Sequence, residues 1–136
     1  MNKIFKIYNK LYSTYGPQGW WPLLDHKGIN PTKTGSINGY HINDYSFPKN
    51  ENQKFEICLG PILTQNTNWI NVEKALIKLN NKKLINPNTL IQANDDTIKK
   101  LIKPAGYFNQ KTKKIKIFTK FFLSLNGNTP TRTELL

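Results

Sequence analysis

Apolar side chains recur at helical spacing along most of this 136-residue sequence. The period is clear in residues 3–14 and returns in 51–64, 68–80, 95–103 and about 107–124, where apolar faces alternate with Lys and Asn. No segment shows the strict alternation of a strand, and neither a fixed repeat nor a heptad array is present. The pattern predicts an all-α fold.

Glycine and proline mark where the helical pattern is interrupted. Gly16 and Pro17 end the first helix, and residues 16–50 predict a long irregular segment packed by its aromatic side chains. Pro61 lies inside the second apolar segment, where it removes a backbone donor, so that helix is expected to be kinked or shortened. Pro87 is expected to open a short helix.

The chain length suits one modest domain. We predict a single, incomplete helical domain, with an N-terminal helix in 1–15 and a long loop in 16–50. A helical core is expected in 51–125, and residues 126–136 are expected to begin a further, truncated helix.

Thr131 and Glu134 have the spacing of a capping box. In such a box the Thr hydroxyl accepts the backbone N–H of Glu134, and the Glu carboxylate accepts that of Thr131. The motif predicts the first turn of a helix, and the alternative is a frayed polar tail that matches by chance.

The formal charge of +12 favours a polyanionic partner. Lysine supplies 19 of the 20 basic residues, and Asn and Ile are also abundant, so biased codon composition explains part of this charge. Arg132 is the single arginine, which argues against sequence-specific reading of duplex DNA. No apolar stretch is long enough to cross a membrane and no signal peptide is recognisable, so the sequence predicts a cytoplasmic protein without a membrane partner.

Most enzyme chemistries lack their residues in this sequence. The two histidines, His26 and His41, fall in the irregular segment without metal-ligand spacing, so no metal site is expected. The eight acidic residues include no pair that spacing marks as general acid and base. The single cysteine, Cys58, cannot form an intrachain disulfide and is expected to be a small buried apolar residue.

Two short motifs suit a different chemistry. GWWP, from Gly19 to Pro22, offers flat apolar rings, and TQNT, from Thr64 to Thr67, offers neutral donors and acceptors between two helices. A base taken out of a duplex needs an aromatic surface, and the gap it leaves needs a neutral wedge. The alternatives are core packing for the tryptophans and an ordinary polar turn for TQNT.

These motifs resemble those of a known family. FEICLGPILTQNTNWINVEKAL, KPAGYFNQKTKKI and TPTRTELL, in this order, resemble the endonuclease III-like branch of the helix-hairpin-helix DNA glycosylases. YGPQGWWPL and DYSFPKNENQKFE resemble the subgroup labelled 3-methyladenine DNA glycosylase, and the resemblance covers about residues 12–136. It implies base-excision repair, with double-stranded damaged DNA as the partner.

The resemblance also implies roles for single residues. Gln65 would be inserted into the DNA stack, with Asn66 and Thr67 at the lesion site. The residues expected near the DNA backbone are Asn109, Gln110 and Lys111. An alternative for these amides is capping the N-terminus of a helix.

Four further residues would form the base pocket: Trp20, Trp21, Pro22 and Phe55. We expect Trp21, Pro22 and Phe55 to converge with Gln65 on one concavity. An aromatic wall would attract a cationic alkylated purine by about 1–2 kcal/mol.

In the resembled family the glycine-rich hairpin, the catalytic Asp and the lyase Lys come after the point where this sequence ends, and the cysteines of an iron–sulfur cluster lie further on. The resemblance therefore implies no cofactor here, and no glycosylase or strand-nicking activity without a complementing C-terminal polypeptide. The alternatives are a non-enzymatic module that binds DNA weakly, a non-functional truncated gene product, and a purely structural helical domain.

Overall fold

The computed structural model describes residues 2–16, 19, 21–29 and 38–135. They fall into two compact units, Met1–Lys49 and Asn50–Leu136. Within the described residues every regular element is helical, apart from one isolated β-bridge between Ile29 and Asn38. The all-α prediction is therefore confirmed.

The first unit begins with helix α1, Lys3–Tyr15, close to the helix predicted for 3–14. The side chain of Asn2 accepts the backbone N–H of Ile4 at 3.1 Å and so begins the helix. α1 is amphipathic, but none of its residues is buried. Its exposed apolar side chains are Ile4, Phe5, Ile7, Tyr8, Leu11, Tyr12 and Tyr15.

The remainder of the first unit contains no helix among its described residues, as predicted for this segment. Two stretches of chain lie side by side, joined by hydrogen bonds from Leu23 N to Gly39 O (2.9 Å) and from Tyr40 N to Gly28 O (3.2 Å). A β-carbon at Gly28 would lie 1.5 Å from the Tyr40 carbonyl oxygen, so only glycine permits this approach. Leu23 and Tyr40 are buried here.

The second unit consists of helices joined by short turns. The helices are α2 (Glu51–Thr64), α3 (Trp69–Asn81), α4 (Pro87–Gln92), α5 (Asp95–Ile102) and α6 (Phe108–Ser124). Single 3-10 turns lie at Lys103–Ala105 and Thr133–Leu135. These bounds lie close to those that the hydrophobic pattern predicted.

Asparagine begins four of these helices, because its short amide side chain accepts an otherwise unpaired N–H of the first turn. The four N-caps are Asn50, Asn68, Asn86 and Asn94. α2 runs through Pro61 to Thr64, so proline does not shorten it. The Thr64 hydroxyl donates to the Gly60 carbonyl at 2.7 Å in this last turn.

The core of the second unit forms where α2 and α5 each pack on both α3 and α6, and α4 packs on α6. Its fully buried large side chains are Phe55, Leu59, Leu63, Val72, Leu76, Leu79, Leu90, Ile98, Ile102 and Ile115. None of the helices in the described part of the chain combines the length and apolar character needed to cross a membrane.

Candidate nucleic-acid interface

The TQNT motif forms the turn between α2 and α3. Gln65 and Asn66 are exposed, and Asn66 adopts a left-handed backbone conformation with φ of 57°. Asparagine tolerates this conformation better than most residues. Thr67 forms hydrogen bonds with both flanking helices. Its N–H donates to Thr64 O of α2 at 3.1 Å, and its hydroxyl accepts a hydrogen bond from Asn71 Nδ2 of α3 at 3.3 Å. The turn therefore presents two neutral amide side chains on a fixed backbone.

The side chain of Gln65 is oriented by α6. Lys114 Nζ donates to Gln65 Oε1 at 2.6 Å, across 49 residues of sequence. Both residues are exposed, so a primary amide and an ammonium group lie together on the surface. Lys113 and Lys120 are also exposed on α6 and add positive charge to the same helix.

Tyr107 is an exposed residue that the sequence reasoning did not single out. It is the N-cap of α6, has φ of 47°, and leaves 63% of its side chain exposed. An aromatic residue in the left-handed region is uncommon, and the strain needs support from its surroundings. The signal in the sequence was the pair Gly106–Tyr107 directly before a helix.

Asn109 and Gln110 lie in the first turn of α6 and are exposed, and their place near the DNA backbone stays a prediction. Capping by their amides, the alternative considered from sequence, is wrong. The N-cap is Tyr107, and no side chain forms a capping hydrogen bond there.

Lys111 is the main correction to the predicted site. Its side chain is buried, with 2% exposed, and Nζ donates to Leu63 O and to Ala105 O, both at 2.7 Å. Burial lowers the pKa of this ammonium, and the charge of Lys114 lowers it further. Because the side chain is buried and two of its three donors are bonded to carbonyls, Lys111 is not placed for the DNA-backbone contact predicted.

Phe55 is also placed differently from the prediction of a pocket wall. It is fully buried, and its ring centroid lies 5.2 Å from that of Phe122 and 6.2 Å from that of Phe118. A ring enclosed in this way packs the core and presents no face to a base. Sequence alone did not separate the two environments, because both favour an aromatic side chain.

The other pocket residues belong to the first unit. Trp21 is half-buried, with its carbonyl oxygen 3.2 Å from His41 Nε2, and Pro22 is buried. Trp20 lies outside the described residues. The expected convergence of Trp21 and Pro22 with Gln65 stays a prediction.

Comparison with known families identifies the second unit. The model of the HhH-GPD superfamily base excision DNA repair protein matches residues 59–134, which is more than half of the chain. The chain belongs to the HhH-GPD superfamily.

Two curated proteins are similar to this HhH-GPD chain. The putative DNA repair glycosylase MJ1434 of Methanocaldococcus jannaschii is 34% identical over 126 residues, covering 93% of the chain and 44% of that protein. Endonuclease III homolog 2, chloroplastic, of Arabidopsis thaliana is 25% identical over 123 residues, covering 88% of the chain and 32% of that protein. The chain thus spans less than half the length of either relative. No solved structure matches it significantly.

The HhH-GPD match contains all parts of the candidate interface in the second unit. It includes the TQNT turn, Tyr107 and the whole of α6. It also includes the capping box, which the structure confirms: Thr131 N donates to Glu134 Oε2 at 2.7 Å, and Glu134 N donates to Thr131 Oγ1 at 3.4 Å.

Proposed function

We propose that this HhH-GPD chain engages double-stranded damaged DNA in base excision repair and that Gln65 is the residue inserted into the base stack. The observation that carries the proposal is the placement of Gln65. It is an exposed neutral amide on a turn whose backbone is fixed by neighbouring hydrogen bonds, inside the residues that match the family. A flipped base leaves an unpaired partner, and an amide can donate to that partner and accept from it.

Lys114 fits this proposal as a neighbour of the wedge. Its ammonium holds Gln65 Oε1 at 2.6 Å in the free protein and is exposed, so it is available to a phosphate next to the inserted amide. Asn66 and Thr67 come directly after Gln65 and complete the proposed lesion site.

We include Tyr107 in the same surface. Lys111 Nζ lies 2.7 Å from the carbonyl oxygens of both Leu63 and Ala105, so the chain just before Gln65 and the chain just before Tyr107 lie side by side. An exposed aromatic ring on a segment beside that of the inserted amide can stack on a base that has lost its neighbour.

The test compares Gln65→Ala with Gln92→Ala, which removes a second exposed glutamine that lies at the C-terminal end of α4 and not in the TQNT turn. Each protein is titrated with a duplex that carries an abasic-site analogue opposite 2-aminopurine, and with the undamaged duplex. We expect Gln65→Ala to lose about tenfold or more of the preference for the damaged duplex, with Gln92→Ala like the wild type. A wild-type protein without any preference would contradict the proposal.

We further propose that the catalytic Asp and Lys of bond cleavage belong to a C-terminal polypeptide that complements these 136 residues, as the resemblance implies. Purified chain is expected to give no turnover on duplexes that carry an alkylated base or an abasic site. Turnover by the chain alone would show that it contains its own catalytic group.

The cytoplasmic location stays a prediction.

A further inference from the structure

Lys111 is a buried cation whose hydrogen-bond partners are backbone oxygens. Its ammonium is bonded to the carbonyls of Leu63 and Ala105, and in the described part of the chain no acidic side chain forms an ion pair with it. Burying a charge is costly unless hydrogen bonds compensate for the lost water. An apolar residue of similar length would fill the same space at lower cost, so packing alone does not explain a lysine here.

The two carbonyls explain what the charge does. Leu63 lies in the last turn of α2, where carbonyl groups have no partner within the helix, and Ala105 ends the 3-10 turn Lys103–Ala105. A cation is favoured at such ends, because the partial charge of a helix C-terminus is negative. Lys111 therefore closes two C-terminal ends with one group.

Each of these ends leads directly into the proposed interface. Gln65 lies two residues after Leu63, and Tyr107 lies two residues after Ala105. The backbone N–H of Lys111 also donates to the Tyr107 carbonyl at 3.0 Å. One residue thus fixes the approach to both exposed side chains.

We infer that Lys111 is a positioning residue that sets Gln65 and Tyr107 relative to one another for entry into the DNA stack, without contacting DNA itself. This inference rests on the proposed function. It assigns the shared orientation of the two turns to a single buried ammonium group.

Lys116 offers a matched control on the same helix. Its Nζ donates to the carbonyls of Ile91, at 2.7 Å, and Ala93, and it is largely buried. The two carbonyl contacts are of the same kind, although Lys116 also lies 3.8 Å from Asp95 Oδ1, and these carbonyls belong to the end of α4 and not to either exposed turn. Lys116→Met therefore removes the same kind of carbonyl contact, together with the pair to Asp95, while the contacts of Lys111 with both turns are kept.

The first measurement needs no DNA. Native-state amide hydrogen exchange is followed at Thr67 N–H, bonded to Thr64 O, and Gly106 N–H, bonded to Lys103 O, both at 3.1 Å. In Lys111→Met we expect protection at both amides to fall by about tenfold or more, since hydrogen bonds to a charged group are lost. In Lys116→Met both amides should remain close to the wild type. Equal effects of the two variants would overturn the inference.

The second measurement uses the abasic duplex with opposing 2-aminopurine and records both the fluorescence response and the salt dependence of affinity. Lys111→Met should lose the response and keep the wild-type slope of log K against log salt. Lys114→Gln should make that negative slope shallower by about 0.9, because one phosphate contact is lost. A slope lowered equally by Lys111→Met would identify a phosphate contact and overturn positioning.

The two measurements separate this inference from the function on which it rests. A wild-type protein with no damage-dependent response contradicts the proposed function, while the exchange data still report on the turns. A normal response in Lys111→Met contradicts positioning alone. Lys111→Arg keeps a cation for the carbonyls and is measured alongside, in case the Met variant does not fold. In Lys111→Arg, amide protection at Thr67 and Gly106 and the 2-aminopurine fluorescence response should either both be kept or both be reduced. A change in one without the other would overturn the inference.

Discussion

Lys111 keeps an ionisable group in the interior, so its contribution to the free energy of unfolding depends on pH. Burial lowers the pKa of its ammonium, and therefore the folded chain releases the proton at a lower pH than the unfolded chain does. Between the lowered folded pKa and the ordinary lysine pKa of about 10.4, the unfolded state binds more protons. Stability from this residue is thus lost as the pH falls through the folded pKa, and it is fully present above about 10.4.

We predict that the wild type gains stability relative to Lys111→Met as the pH rises from about 7 to about 10.4. Chemical denaturation of both proteins across this range measures the difference, and groups common to both cancel. A difference that is constant, or that moves in favour of the Met variant, would contradict the lowered pKa.

Phe55 allows a test of core packing against a pocket role. Because its ring is fully buried against Phe118 and Phe122, Phe55→Ala should lower the free energy of unfolding by about 3–5 kcal/mol. Phe55→Leu should cost less and should leave the affinity for damaged duplex unchanged. Exposed Gln65→Ala is the control, expected within about 0.5 kcal/mol of the wild type in stability. A stable Phe55→Leu with weakened lesion binding would restore the pocket role.

At the scale of elements, the capping box holds the turn Thr133–Leu135 through one carboxylate. Glu134 Oε2 accepts the Thr131 N–H at 2.7 Å and the Thr131 hydroxyl at 2.8 Å. Both hydrogen bonds favour the charged form, and the bond from the Thr131 N–H is the larger cause that lowers the pKa of Glu134. The two hydrogen bonds therefore stabilise the turn at pH values above the ordinary Glu pKa, and this stabilisation is lost as the pH falls through the lowered pKa of Glu134.

We predict that the amide proton signal of Thr131 titrates with a midpoint below the ordinary Glu pKa of about 4.3. NMR spectra recorded across the acid range give this midpoint. Thr131→Ala removes the hydroxyl donor and should move the midpoint part of the way back. A midpoint at or above the ordinary value would show that the box is open in solution.

The helices could be predicted because their signals are local. Asn68 before the apolar period of α3, and Asn94 before Asp95 and Asp96 at the start of α5, lie within a few residues of the ends they determine. The surroundings of Lys111 could not be predicted in this way. One of its acceptors, Leu63 O, lies 48 residues away, and nothing in the lysine itself distinguishes a buried ammonium from a solvated one.

The same distinction applies to the candidate site. TQNT was predicted correctly as a polar junction between helices, because both flanking apolar periods are visible in the sequence. Its contact with Lys114 spans 49 residues and required the fold. The left-handed backbone of Tyr107 likewise depends on its neighbours in the folded chain, so the sequence showed only a Gly–Tyr pair before a helix.

At the scale of the whole molecule, the chain carries a formal charge of +12, but the response of DNA association to salt depends on how many of its lysines contact phosphates. Each lysine that neutralises a phosphate releases condensed counterions, so log K should fall linearly with log salt, by about 0.9 per contact. A binding surface confined to the region around Gln65 and α6 uses only some of the lysines. The slope therefore reports the number of contacts at the interface and not the net charge.

We predict steep salt dependence for duplex binding, and unequal effects of two exposed lysines. Lys114→Gln removes a charge beside Gln65 and should make the negative slope of log K against log salt shallower by about 0.9. Lys82 is exposed just past the opposite end of α3, about 20 Å along the helix from the TQNT turn, and Lys82→Gln should leave the slope unchanged. Titrations of each variant at about four salt concentrations give the slopes. Equal reductions for both lysines would mean that net charge, and not the proposed interface, drives binding, and affinity independent of salt would exclude phosphate contacts altogether.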